Sequence, residues 1–339
     1  MLFARFMELA LHHPEHGYYA SGPSRLGRGG DFFTASDVGP VFGACVARQL
    51  VAMDERLSRP DPFHYVEWGA GRGVLAADVR ASLEAAAPEL ARRLAVTLVE
   101  SSAGMRAAAA EAVPGARVLA RAGGTIPGAG CVVAVELLDA LPVHRVRRRG
   151  DDLVEIAIAA DAGRLVEIEQ PPDPAVAAYA AEYGAAPADG DEAEVCLELG
   201  PTLARLAGSI ARGFVLVVDY GHEASRMFGP GHRRGTLLAY HRHRAHEDYL
   251  ARVGEQDLTA HVNLTALRRE AERLGLRTSA ITTQDRFLIE NGILEGLDEG
   301  GDSLDAVKRR LQVKQLLHPD GMGTAFKVAS FEKPGGYTD

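Results

Sequence analysis

The chain has 339 residues, 47% of them hydrophobic, enough to bury a full core and to exclude disorder as its main state. A formal net charge of −9 leaves no global basic field, which argues against nucleic acid as the principal partner. Cys45, Cys131 and Cys196 are far apart and odd in number, giving neither a disulfide framework nor a thiol metal clip, and no run approaches the roughly 18 apolar residues of a membrane span, so a cytoplasmic protein is expected.

In chain order, Phe3, Phe6, Met7 and Leu11 fall at helical spacing without the pattern of a signal peptide, which predicts a first helix ended by His13-Pro14. The glycine-rich SGPSRLGRGGDFFTASDVGP that follows reads as a loop. Apolar positions Val41, Phe42, Cys45, Val46, Leu50 and Met53 then predict an amphipathic helix to about residue 57. Beyond it, short apolar runs alternate with helical patterns, the sequence form of a parallel α/β sheet: HYVEW (64–68), AVTLVE (95–100), ARVLA (116–120), CVVAVE (131–136) and FVLVVDY (214–220).

Residues 143–168 alternate in the manner of a β-hairpin, and the arginines at 145, 147, 148 and 149 read as a solvated strand and turn. QPPDPAVAAY and GAAPADGDEAE read as surface connections. The region 221–246 is too long for an ordinary connection and is expected to be functional. A helix over 265–274, a strand RTSAITT, one or two helices across 284–317 and a final strand in GTAFKVASF complete the chain. The reading is a doubly wound, mostly parallel α/β domain over 61–339, with insertions at about 143–195 and 221–265, preceded by a helical arm and lid over 1–60.

The most informative motif is VEWGAGRG at 66–73, a strand running into Gly69, Ala70, Gly71 and Gly73 ahead of a helix. Glycines there let the chain turn sharply and leave room for a ligand at the carboxyl edge of the sheet. Glu100 ends the next strand, where a carboxylate can accept both ribose hydroxyls of an adenosine. The pair predicts a nucleoside cofactor without separating a methyltransferase from a nicotinamide enzyme.

The chain resembles the MidA-like methyltransferases, relatives of the mitochondrial complex I assembly factor arginine methyltransferases. The resemblance is carried by FMELALHHPEHGYY at 6–19, GGDFFTASDVGPVFG at 29–43, VEWGAGRG at 66–73, VELLDALPV at 135–143, VVDYG at 217–221, RGTLLAYHRH at 234–243, GEQDLTAHVN at 254–263, TTQDRFLIENG at 282–292 and GMGTAFKV at 321–328. Trp68, Ala70 and Val135 depart from the family's usual residues, and Val135 touches the acceptor end. The resemblance implies a seven-stranded, Rossmann-like class I sheet and S-adenosylmethionine as methyl donor. It also implies that Asp31 and Thr34 cover the cofactor.

On that reading Glu136 and Asp139 form a carboxylate pair able to clamp a guanidinium or another amine, and His261 is the candidate general base. His241, His243 and His246 match no zinc signature, so no metal is expected. The acceptor is expected to be a protein side chain such as arginine. A small-molecule O- or N-methyltransferase and a cofactor-binding assembly factor with little turnover stay open, as does a homodimer.

Overall fold

The computed structural model describes residues 1–21, 34–299, 301, 303–319 and 321–335. The strands in chain order are β1 (Phe63–Trp68), β2 (Leu94–Val99), β3 (Arg117–Leu119), β4 (Ile126–Val135), β5 (His144–Arg149), β6 (Asp152–Asp161), β7 (Arg164–Gln170) and β8 (Glu192–Val195). They continue as β9 (Ile210–His222), β10 (Leu238–His241), β11 (Arg244–His246), β12 (Asp257–Thr259), β13 (Val262–Asn263), β14 (Arg277–Thr283) and β15 (Phe326–Lys333). The chain divides into two compact units, one of residues 33–136, 204–219 and 274–339, the other of 1–32, 137–203 and 220–273.

The first unit holds the main sheet, in the order β14-β15-β9-β4-β1-β2-β3. Neighbours from β9 through β4, β1 and β2 to β3 run parallel, and β14 runs antiparallel to β15. Continuous apolar runs explain this layer. Cys131–Ala134 and Phe214–Val218 are all buried, as strands covered on both faces must be. Numbered within the sheet, the strands lie 3-2-1-4-5-7-6, so the winding reverses between β1 and β4. The crevice outside the carboxyl ends of those two strands is the topological switch point, where open α/β sheets take their ligands.

The helix expected from residue 41 runs Pro40–Arg56, opened by a proline at its first turn and burying Phe42, Cys45, Val46, Leu50 and Met53. Between β1 and β2 the chain forms two helices, Val74–Ala86 and Pro88–Arg93, because Pro88 cannot extend the first and instead starts the second. The strand, helix and final-strand expectations for 277–333 are met by β14, Gln284–Glu290, Leu304–Leu317 and β15. No helix among the described residues is long and apolar enough to cross a membrane.

The second unit is antiparallel, with sheets ordered β7-β6-β5-β8 and β11-β10-β12. Helix Phe3–His12 buries Phe3, Phe6, Met7 and Leu11 with Tyr18, Val143, Ile158 and Leu258 in its core. Four sequence expectations are corrected in this unit. The hairpin at 143–168 is a three-strand meander, since Ala162 and Gly163, both at positive φ, supply a second turn. QPPDPAVAAY carries a helix, Pro174–Tyr183, capped by the Asp173 side chain.

GDEAE contributes β8, all of whose residues are buried. It looked like surface because its acids are charged, but they are paired. Glu192 takes both Arg145 and Arg147, and the Glu194 carboxylate accepts the Thr236 amide at 2.8 Å and hydroxyl at 3.0 Å. Arg145 is therefore 2% exposed rather than solvated, and it also donates to Glu167 at 2.5 Å.

Candidate active site

β1 leads directly into the glycine turn. Gly69, Gly71 and Gly73 have φ of 68°, 52° and 76°, the left-handed region that a side chain disfavours. The amides of Gly69 and Ala70 donate to the Val99 carbonyl at 2.9 and 3.3 Å, and Gly73 N–H donates to the Ala70 carbonyl at 2.8 Å. The turn is thereby stitched to the end of β2. Gly71 and Gly73 are small for different reasons. A Cβ on Gly73 would stand 3.1 Å from Ala109 Cα, whereas one on Gly71 would meet no atom of the described residues within 4 Å. Gly73 is required by packing, and Gly71 borders open space of the kind a ligand needs.

Glu100 closes the other side of this turn. Its carboxylate accepts the amides of Gly71 at 3.0 Å and Ser102 at 2.8 Å, and its own amide donates to the Leu119 carbonyl at 2.9 Å. Burial pushes its carboxyl above the usual range, against these hydrogen bonds and the nearby Arg106 guanidinium. A carboxylate has about four lone-pair sites, so capacity remains for sugar hydroxyls. The residues present therefore fit an adenosine, with the turn giving close backbone approach and Glu100 an acceptor beside it.

The sequence reading missed Glu67, the acid inside HYVEW. It is 5% exposed, takes the Tyr65 hydroxyl at 2.6 Å, and is pushed up to about 8, chiefly by burial. A carboxylate within an apolar strand was the available signal.

Glu136 follows β4, with φ at 51°, a left-handed backbone on a residue that has a Cβ. Its amide donates to the Val218 carbonyl at 2.9 Å, and its Oε1 accepts the Ala35 amide at 2.8 Å. Ala35 begins the short helix Ala35–Val38, for which Thr34 is the cap. Thr34 Oγ1 accepts the Asp37 amide at 3.3 Å, and Asp37 returns the bond to the Thr34 amide, also at 3.3 Å. Asp37 also pairs with Arg72 of the glycine turn. Residues 34–38 are thus tied both to the turn and to the end of β4. Asp31 lies outside the described residues.

Thr34, Gly69, Ala70, Gly71, Gly73, Glu100 and Glu136 all belong to the sheet unit. Asp139 and His261 belong to the other. Asp139 is buried, its carbonyl accepts the Ala260 amide at 2.9 Å, and burial pushes its carboxyl up to about 7. His261 stacks on Tyr220, ring centroids 5.5 Å apart and planes at 9°, and its amide donates to Thr236 Oγ1 at 3.0 Å. His222 and His232, which the sequence reading did not single out, stand beside it.

A sheet wound 3-2-1-4-5-7-6, with a glycine turn at its switch point and an acid beside that turn after β2, defines a class I methyltransferase. The family model of S-adenosyl-L-methionine-dependent methyltransferases matches residues 45–282, and the chain belongs to that family. Among its relatives, the mitochondrial protein arginine methyltransferase NDUFAF7 homologue of Drosophila melanogaster is 28% identical, over 96% of this chain and 79% of its own. The human mitochondrial protein arginine methyltransferase NDUFAF7 is 27% identical, over 95% of this chain and 78% of its own. A crystal structure from Burkholderia thailandensis bound to S-adenosyl-homocysteine superposes with a TM-score of 0.89 at 29% identity, covering 99% of this chain and 88% of that one. The protein is an enzyme that uses S-adenosylmethionine as its methyl donor.

Proposed function

We propose that the methyl acceptor is an arginine guanidinium on a protein, oriented by Glu136. The observation that carries this reading is the backbone of Glu136, held left-handed at the carboxyl end of β4, next in the sheet to the strand that carries the glycine turn. Such a conformation costs about 1–3 kcal/mol and persists where the surroundings over-determine it, commonly at functional sites. Relatives named protein arginine methyltransferases support the same acceptor.

When bound, S-adenosylmethionine supplies an electrophilic methyl group on a sulfonium. The chain's task is to aim a nitrogen lone pair in line with it and exclude water. A carboxylate holds a guanidinium through two parallel N–H···O bonds, which fixes its plane and aims the remaining nitrogen. The Glu136 carboxylate accepts the Ala35 amide at 2.8 Å, which holds it at the carboxyl end of β4 where a guanidinium would be oriented. Glu100 and the glycine turn bind and orient the donor. Asp139, three residues further along the chain, is proposed as the second acid, poised near neutrality to take the proton that the nitrogen loses.

The test uses the full chain with methyl-labelled S-adenosylmethionine and a protein extract, locating the label by mass spectrometry. Label on arginine is expected. Glu136→Gln should keep donor affinity within about twofold by calorimetry and slow transfer at least about 100-fold. Label found on small molecules, or a Glu136→Gln variant with full turnover, overturns the reading.

A further inference from the structure

The long segment after β9, expected to be functional, brings together three histidines that are distant in sequence. The end of β9 pairs in parallel with β13, Gly221 with Val262 and His222 with Asn263, which brings residues 220–222 alongside residues 261–263. His232 closes the single 3₁₀ turn Pro230–His232. One ring nitrogen from each of His222, His232 and His261 can be chosen so that the three lie within 4.8 Å of one another. Ring centroids are 5.0 Å apart for His222 and His232, 5.1 Å for His222 and His261, and 6.2 Å for His232 and His261.

We propose that His222, His232 and His261 bind a divalent transition-metal ion of the zinc class. Imidazole nitrogens sit about 2.0–2.1 Å from zinc, which places pairs of them roughly 3.3 Å apart around a tetrahedral ion. The observed nitrogens, within 4.8 Å of one another, would close to that spacing by side-chain rotation on taking up the ion. Two further features prepare the rings. His232 Nδ1 lies 3.1 Å from the Arg226 carbonyl, a group that can only accept, so Nδ1 carries the proton and Nε2 presents its lone pair. A backbone carbonyl fixing the tautomer of a ligating histidine is the usual outer-shell arrangement at metal sites. The His261 ring is held by its stack on Tyr220, within 9° of parallel.

Three imidazoles leave a fourth position for water or another small ligand. A cavity of about 150 Å³, lined in part by His232, His261, Arg234, Glu247 and Tyr249, opens beside two of the ligands and gives that position room. Neutral nitrogen ligands without thiolate suit zinc, nickel or copper rather than magnesium or calcium. The ion would pin the 221–246 segment to β9 and β13. This role and proton transfer are alternatives for His261, since a lone pair given to a cation takes no proton. The binding proposal does not depend on which acceptor is methylated.

The experiment is equilibrium dialysis of the untagged full-length chain against Zn²⁺, with Co²⁺ as the spectroscopic probe. One ion per chain is expected, with visible ligand-field bands for Co²⁺ that zinc displaces. His232→Ala and His261→Gln should each weaken Zn²⁺ binding at least about tenfold, while calorimetric binding of S-adenosylmethionine by His232→Ala stays unchanged and reports an intact fold. His243→Ala, in the turn joining β10 to β11, should bind the ion like the unaltered chain. No uptake by the unaltered chain overturns the proposal. So does His232→Ala binding at full strength, or loss of the ion in His243→Ala alone, which would place it on the 241–246 histidines.

Discussion

Two groups of acids, one in each unit, are held by opposite means. In the sheet unit Glu100 and Glu136 accept neutral backbone amides, from Gly71, Ser102 and Ala35. In the antiparallel unit Glu167, Glu169 and Glu192 are taken by Arg145, Arg147 and Arg149. The electrostatic consequences diverge. Burial pushes Glu100 up, while Arg149 and Arg147 hold the carboxyl of Glu169 at about 2. At Glu100 the amide bonds use up neither the charge nor all of the lone pairs, which leaves room for a sugar hydroxyl. An acid neutralised by guanidinium groups has committed both to the fold.

That contrast can be broken most severely at the turn itself. Gly71→Val should abolish S-adenosylmethionine binding, a loss of more than about 100-fold by calorimetry, because its side chain enters space left open among the described residues. The left-handed φ should cost only about 1–2 kcal/mol of stability. A variant that bound the donor normally would remove the turn from the site.

Arg145→Met should come next, lowering stability by about 3–5 kcal/mol in a denaturant series, since it leaves Glu192 and Glu167 buried or half-buried without this partner. An unchanged midpoint would mean that the network is not structural. Glu100→Ala should weaken donor binding about 10- to 100-fold with a smaller effect on stability, the loss of charge-assisted hydrogen bonds worth about 1.5–3 kcal/mol. Equal damage to stability would put Glu100 with the structural acids instead.

The smallest effect concerns Glu67. Its carboxyl titrates near 8 in the folded chain against 4.5 for the ordinary group, so the folded state binds more protons between those values. The associated stability is complete below pH 4.5 and is lost as pH rises through about 8. Glu67→Gln should flatten that slope, raising the thermal midpoint at pH 8 relative to the unaltered chain. A parallel pair of pH profiles would show that Glu67 does not titrate there.

The legible parts of the molecule share a feature. The glycine turn, Glu100 and Glu136 each sit at the end of an apolar run, so strand periodicity and chain neighbours were enough to place them at one sheet edge. Thr34 also has a local role, its hydroxyl capping a helix that begins at the next residue. The rest was not visible because its meaning depends on distant partners. Glu192 and Glu194 read as solvent-exposed until Arg145, Arg147 and Thr236 are found beside them. His222 and His232 carry no spacing signature, and their meeting with His261 depends on the pairing of β9 with β13.

The sequence by itself determined the parallel layer, the turn at its switch point and the acid that flanks it, because burial on both faces and tight turning leave local marks in residue type. Only tertiary structure decided which charged and polar side chains are neutralised, which remain available and which imidazoles converge. Those outcomes turn on distances between residues far apart along the chain, and electrostatic and coordination energies depend on such distances rather than on composition.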